Sequence, residues 1–405
     1  MRLLALGMLV FTGLTQATAE EPQWVLDARV KEGELMKPQL VVSADKRISF
    51  SVPATLSGKL KESENYYEAS ITLGPDAVAD CKIFNTAIDP AALLRDTART
   101  TFSEVIEKSQ GKLAQKNLEN IDAGVAGATP YLSLAWRYQI NDVKGASVGG
   151  LRQYAAGMPR HGIYCELNDL GYAKTFEKVV IALISSLKTP NDEEMGYFSQ
   201  VSVMSIFGIR IGFSALNMHR DGSGGTIAVE TKSLLTPVAL DALKSRDTFY
   251  VEYIKPDGAM ISAKRIVSSN GEIETDLDLK KGERKNWLVE GKRNGKDIKE
   301  TIAGGTPSTY LSTTRLMRSL LTQEIRIGNQ ATEVVWMGDH PRQLTPMRTK
   351  VLAVIDAHSA SVRQSAGNDS ADMVVDRATG EPIRAVAHGG SAEIKFERIY
   401  VQGSQ

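Results

Sequence analysis

Apolar residues alternate with polar ones over most of this chain, and a few stretches switch to a spacing of three and four. Ile48, Phe50 and Val52 share one strand face, and Tyr67, Ala69, Ile71 and Leu73 share another. Asp89 stands where a helix cap is favoured, Pro90 suits the first helical position, and Leu94, Ala98, Phe102, Val105 and Ile106 make one apolar stripe. Such a stripe needs a sheet to cover. Leu132, Leu134, Trp136, Tyr138 and Ile140 alternate without a fault, a hairpin spans about 151–166, and Phe176, Val180, Leu183 and Leu187 make a second amphipathic helix. These elements predict an α+β unit over residues 20–190, an N-terminal antiparallel sheet with flanking helices.

Thr189-Pro190-Asn191-Asp192-Glu193-Glu194 interrupts both periods and predicts a linker. Beyond it, Ile209, Ile211, Phe213 and Ala215 form a strand face, residues 221–225 a glycine-rich turn, and Ile227, Val229 and Thr231 a returning strand. Thr236-Pro237 predicts the start of a short helix through Leu243. Strands at 249–255 and 259–267 follow, and Ile273, Thr275, Leu277 and Leu279 oppose Glu272, Glu274, Asp276 and Asp278 on a half-buried strand. Asn270-Gly271 and Asn294-Gly295 predict tight hairpins, because such pairs readily take positive φ at both central positions. Tyr310 to Leu321 reads as a helix, with strands around 334–337, 349–355, 373–375, 383–387 and 392–401 closing the chain. The second unit, residues 191–405, is therefore expected to be a mainly β meander around a central helix.

Charge and the first twenty residues add an address. The chain has 405 residues with 48 Lys plus Arg against 48 Asp plus Glu, so it has no global field to hold a nucleic-acid backbone, and no nucleic-acid partner is expected. Met1-Arg2, the apolar run Leu3 to Leu14 and the small residues Ala17-Thr18-Ala19 predict a signal peptide over 1–19, cleaved after Ala19. The apolar run is short of the roughly 20 residues a span requires, and no later segment is apolar enough, so the mature chain is expected in the periplasm or secreted, without a transmembrane span. In an oxidising compartment paired thiols become bridges. Cys81 shares its strand face with Ile83 and Cys165 with Ile163, which predicts one buried disulfide.

The element order of the first unit, ending in Gly162-Ile163-Tyr164-Cys165 and the helix of Phe176 to Leu187, resembles the PsbP-like fold. That resemblance implies a non-catalytic binding or assembly role and carries over no site residue. Gly208-Ile209-Arg210-Ile211-Gly212, Tyr310-Leu311-Ser312, and Asp376 with Glu381-Pro382-Ile383-Arg384 give the second unit a resemblance to an exported-protein family of unknown function. It implies a long, strongly curved antiparallel sheet, similar in shape to lipoprotein-carrier half-barrels, and no known catalytic residues. A concave apolar face of that kind makes a lipid or apolar small molecule one expected partner, and an envelope protein the other.

Catalytic signals are sparse. H-E-x-x-H, G-x-x-x-x-G-K-[ST] and G-x-S-x-G do not occur. Ser43 to Lys46 and Ser185 to Lys188 meet the S-x-x-K spacing without a companion motif. His161, His219, His340, His358 and His388 show no ligand spacing, so neither a metal nor a cofactor is expected. Lys280, Lys281, Arg284, Lys285, Lys292, Arg293, Lys296 and Lys299 outnumber Glu283, Glu290 and Asp297 by five. They are a candidate patch for lipid headgroups, lipopolysaccharide or an acidic partner, with Trp287 either an interfacial contact or a core residue. The competing reading is a solvated hairpin whose lysines guard a strand edge. The sequence thus points to an exported, non-catalytic binding or envelope-assembly module, with an uncharacterised hydrolase of envelope material as the alternative.

Overall fold

Alternating burial along paired strands dominates the molecule, and the computed structural model is mainly β. It describes residues 22–403 apart from 111, 143–144, 158–160, 190–195, 240–241, 284–285, 323–325, 338–339 and 389–392. The expected signal peptide and all of the expected linker except Thr189 lie outside the described residues.

The first half runs α1 (Gln23–Arg29), β1 (Gln39–Val42), β2 (Ser49–Val52), β3 (Thr55–Leu56), β4 (Lys61–Glu62), β5 (Tyr66–Gly74), β6 (Ala77–Phe84), α2 (Pro90–Lys108), β7 (Leu113–Ala126), β8 (Thr129–Asp142), β9 (Gly145–Gly157), β10 (Gly162–Leu167) and α3 (Ala173–Ser186). β1 and β2 pair with each other. The others form an eight-stranded antiparallel sheet in the order β3-β5-β6-β10-β9-β8-β7, with β4 beside β5. Each face carries a helix. Phe176, Val179, Val180 and Leu183 of α3 pack with Phe50, Ile71, Ile83 and Ile163 on one side. Leu94, Ala98 and Phe102 of α2 pack with Leu132, Leu134, Trp136 and Leu151 on the other, the Phe102 ring meeting Trp136 edge-on at 5.5 Å.

The second half forms one 14-stranded antiparallel sheet. Its strands are β11 (Phe198–Ile206), β12 (Ile209–Arg220), β13 (Thr226–Ala239), β14 (Ala242–Ile254), β15 (Met260–Ser269), β16 (Glu272–Lys281), β17 (Trp287–Arg293), β18 (Lys296–Ile302), then, after α4 (Tyr310–Thr322), β19 (Gln330–Trp336), β20 (Leu344–Val354), β21 (Ser359–Ala366), β22 (Asp369–Asp376), β23 (Pro382–His388) and β24 (Glu393–Gly403). Two meanders, β11 to β18 and β19 to β24, join where β11 pairs with β24. Both Asn-Gly pairs take positive φ, 53° and 77° at Asn270-Gly271 and 50° and 72° at Asn294-Gly295. The short helix expected from Thr236 is corrected to a hairpin, with Thr236 opposite Lys244 and Pro237 opposite Leu243. Proline is tolerated near a strand end, so the same residue that can open a helix here ends a ladder.

The large sheet rolls around α4. Trp336 on β19 and Tyr250 on β14 are nine strands apart in the ladder, yet their ring centroids lie 6.3 Å apart. A flat sheet would separate those strands by about 43 Å. Leu311 of α4 packs with Phe198, Met218, Ala228 and Ile254, while Met317 and Leu321 pack with Val351, Val362, Met373 and Val375 on the other arm. The β22–β23 turn presses so closely on the helix that a Cβ on Gly380 would meet the Thr314 carbonyl oxygen at 2.5 Å.

The two sheets share a core. Val201, Val203, Phe213, Ala215 and Leu235 of the large sheet join the cluster built on α2, β7, β8 and β9. The apolar stripe of α2 is thereby buried between both halves of the chain, while its other face is exposed.

Candidate functional site

The inward face of the rolled sheet holds a cluster of buried polar side chains at the N-terminus of α4. Glu252 on β14 is 4% exposed and accepts hydrogen bonds from the Tyr310 backbone N–H at 2.9 Å and the Tyr250 hydroxyl at 3.0 Å. It therefore supplies the acceptor that a helix start needs. Burial pushes its carboxyl up to about 7, with the Glu230 charge adding to the rise and the two donors opposing it. Glu230, on the neighbouring β13, goes the other way. Burial resists its ionisation, but Lys232 at 2.9 Å, the Tyr310 hydroxyl and the Ser214 hydroxyl outweigh that and hold it below the usual carboxylate range. The Tyr250 ring meets Tyr310 edge-on at 6.1 Å, and burial raises both phenols.

A second buried carboxyl links the two sheets. Asp247 on β14, 4% exposed, accepts from the backbone N–H groups of Ala91 and Ala92 at 3.2 and 3.0 Å, and so caps α2. Burial pushes it up to about 7, the charge of Asp89 adds to the rise, and hydrogen bonds from Ser233, Ala91 and Ala92 oppose it. Asp89, the cap expected from sequence, instead accepts from the Ser268 hydroxyl at 2.9 Å. Pro90 does open the helix, but the acceptor comes from a strand about 150 residues later in sequence, a long-range pairing of the kind tertiary packing imposes over local preference.

Of the eight bases, the six that lie among the described residues do not gather at one place. Lys280 and Lys281 end β16, whereas Lys292, Arg293 and Lys296 border the turn at the opposite end of β17, and Lys299 lies within β18. Arg284 and Lys285 lie outside the described residues. Lys299 pairs with Glu290 at 3.2 Å, Lys280 with Asp278 at 3.6 Å, and Lys292 stands opposite Asp276 and Asp297. The acidic row is engaged in the same way, Lys264 reaching Asp276 at 3.0 Å and Arg246 reaching Glu274 at 3.7 Å. The interfacial reading of Trp287 is overturned. It is 3% exposed in the core with Leu277, Leu279 and Val289, and its indole N–H donates to the Gly305 carbonyl at 3.1 Å.

Cys81 and Cys165 stand directly opposite each other on β6 and β10 and are joined by a disulfide, fully buried beneath α3. The S-x-x-K hydroxyls are spent locally, Ser43 donating to Asp45 at 2.6 Å and Ser185 to the Ala182 carbonyl at 3.2 Å. His388 lies 3.3 Å from Asp372 and 3.5 Å from Glu393. Among the described residues no three His, Cys, Asp or Glu side chains gather as a metal site, and no helix is long and apolar enough to cross a membrane.

Glu230, Tyr250, Glu252, Tyr310 and Asp247 were not singled out by sequence reasoning. The available signal was an acid at an inward strand position, as in Tyr250-Val251-Glu252-Tyr253-Ile254.

No family model matches this chain, and no curated protein matches it in sequence. Among solved structures it is similar to a beta-barrel-like protein of domain of unknown function DUF1849 from Brucella abortus, with 10% identity, a TM-score of 0.39 and coverage of 51% of this chain and 96% of that one. It is also similar to a DUF1089 family protein from Pseudomonas aeruginosa, with 15% identity, a TM-score of 0.20 and coverage of 45% and 87%.

Proposed function

We propose that the protein is an exported, non-catalytic binding or assembly module of the cell envelope, working after signal cleavage in the periplasm or outside the cell. The observation that carries this reading is the occupied interior of the rolled sheet. α4 fills the concave face from Leu311 to Leu321, and Glu252 fixes its start, so the surfaces offered to partners are the outer faces and rims. The resemblance of the first sheet to PsbP-like modules supports an assembly role. A lipid or apolar ligand held inside the sheet, the sharper form of this reading, requires α4 to yield its packed positions. Native mass spectrometry of the mature protein, purified gently from its own envelope and compared after denaturation, tests the proposal. A protein or lipid-mass adduct lost on denaturation is expected. A bare chain under native conditions, together with turnover of envelope material, overturns it.

One observation favours a second reading, a hydrolase of envelope material. Glu252 and Glu230 are neighbouring carboxyls whose environments drive their proton affinities apart, the arrangement that lets one act as acid while the other stays ionised. Turnover of cell-wall fragments abolished by both Glu252→Gln and Glu230→Gln would establish it. Absence of turnover in the native protein removes it.

A further inference from the structure

The hairpin joining β11 and β12 breaks two rules at one residue. Ile206 pairs with Ile209, so the loop is Phe207-Gly208, and both residues have positive φ, 52° and 82°. A two-residue loop of this form favours Asn or Gly at its first position, because an L side chain with a Cβ is strained there. Here the position carries phenylalanine, and the residue is 89% exposed. The turn suits the hairpin, but neither a phenylalanine at its left-handed first position nor the exposure of that side chain helps the fold.

The surroundings of Phe207 are convex. A Cβ placed on Gly208 would have no neighbour within 4 Å. Ile209 is 51% exposed beside it, and Val238, near the end of the adjoining β13, is 41% exposed on the same rim. Three exposed cations lie along the same rim: Arg210, next to Ile209 in sequence and 3.8 Å from Asp122; Lys244, opposite Thr236; and Lys395, opposite Ser205. Three acids of this rim among the described residues lie near a basic or imidazole side chain. Asp122 lies 3.8 Å from Arg210, Glu393 lies 3.5 Å from His388, and Glu397 stands opposite Arg384.

We propose that this rim is a membrane-contact surface, in which Phe207, Ile209 and Val238 enter the interface of an anionic lipid layer while Arg210, Lys244 and Lys395 meet its headgroups. A protruding apolar tip has no concavity with which to enclose a peptide, so it suits a partner that deforms around it, and the flanking cations match an anionic surface. Large exposed apolar side chains beside cations are the pattern expected of peripheral attachment. The surface lies outside the α4 interior and goes beyond the binding role proposed above. It rests on that reading only in that export brings the chain to an envelope membrane.

Full-length mature protein mixed with vesicles of phosphatidylglycerol and phosphatidylethanolamine provides the test. Sedimentation with these vesicles is expected, weaker with neutral phosphatidylcholine vesicles and weaker as salt rises. Phe207→Asn suits the left-handed turn, so its melting midpoint should equal or exceed that of the native chain, while vesicle affinity falls about tenfold or more. Phe207→Trp should retain binding and show a blue-shifted emission with vesicles. Native affinity in the Phe207→Asn protein, or no vesicle binding by the native protein, overturns the proposal. So does a photo-crosslinker at position 207 that captures protein rather than lipid in cells. If vesicles bind but native mass spectrometry finds no envelope adduct, the rim stands and the broader role falls; the converse result separates them the other way.

Discussion

Asp247 and Glu252 are carboxyls placed at helix starts, and in both cases burial outweighs the donors that favour ionisation. Each is pushed up to about 7 in the folded chain, against about 4 when unfolded. The folded state therefore binds more protons than the unfolded state between those values. Stability from these groups is full below about pH 4 and is lost as pH rises through 7, with a slope of up to about 1.4 kcal/mol per pH unit for each. Asp247→Asn is expected to remove one group's share of that slope, read by chemical denaturation at pH 5, 6, 7 and 8; an unaltered slope would show that Asp247 is ionised in the fold at pH 5. Glu252→Ala strands the Tyr310 N–H and the Tyr250 hydroxyl and should cost about 2 to 3 kcal/mol in the same measurement, with Glu252→Gln milder. At this scale the sequence was partly legible. Pro90 marked its helix start correctly, but the acceptor capping it lies on a strand of the other sheet, and nothing local to residues 89–92 encodes that partner.

Elements with strong periodicity were read well because burial follows one face of each. β8, α3 and β16 are examples, although Ile273 at the start of β16 is 64% exposed. β21 escaped because Ser359 to Ala366 contains no large apolar residue other than Val362, and β7 and β11 escaped because polar residues interrupt their alternation. α4 was legible as a helix, while its role as the filling of the sheet depends on contacts with strands far apart in sequence. Leu321→Ala should destabilise the protein by about 2 to 5 kcal/mol and increase binding of a hydrophobic dye, because Leu321 is fully buried against the β20–β22 arm. A dye signal identical to that of the native protein would mean the interior closes over the lost side chain. Cys81→Ser should destabilise the fold by up to about 4 to 5 kcal/mol in the chain-entropy account, lowering the melting midpoint, and leave Cys165 reactive once the chain unfolds. An unchanged melting curve would remove the bridge from the list of stabilising features.

At the scale of the whole molecule, the strands up to β10 and those from β11 onward lie in different sheets, yet the hydrophobic core continues from one to the other. Phe102 and Trp136 share a cluster with Val201 and Phe213, and Asp247 fastens α2 from the far side. Residues 20–189 and 196–405 produced as separate chains in one cell are therefore expected to co-purify. Recovery of two independent, folded monomers would show that the shared core is dispensable. The basic residues illustrate why surface chemistry is hard to read from a linear segment: a window of twenty residues placed eight cations together, and the hairpin geometry then distributed the described ones over both ends of β17.

The seam between β11 and β24 sets an order on folding. Every other pairing in the large sheet joins strands adjacent in sequence, whereas this one unites the first strand of the sheet with the last. As the chain folds, one edge of β11 can pair with β12 and the strand can dock on β7 early, but its other edge has no native partner until the last strand is available. Through that interval the strand Phe198–Ile206 is an open template for pairing with another chain. Passage to the folded state should thus be slow and concentration-sensitive, and loss of the last strand should turn a well-behaved product into an aggregating one even though every local hairpin before it can still form.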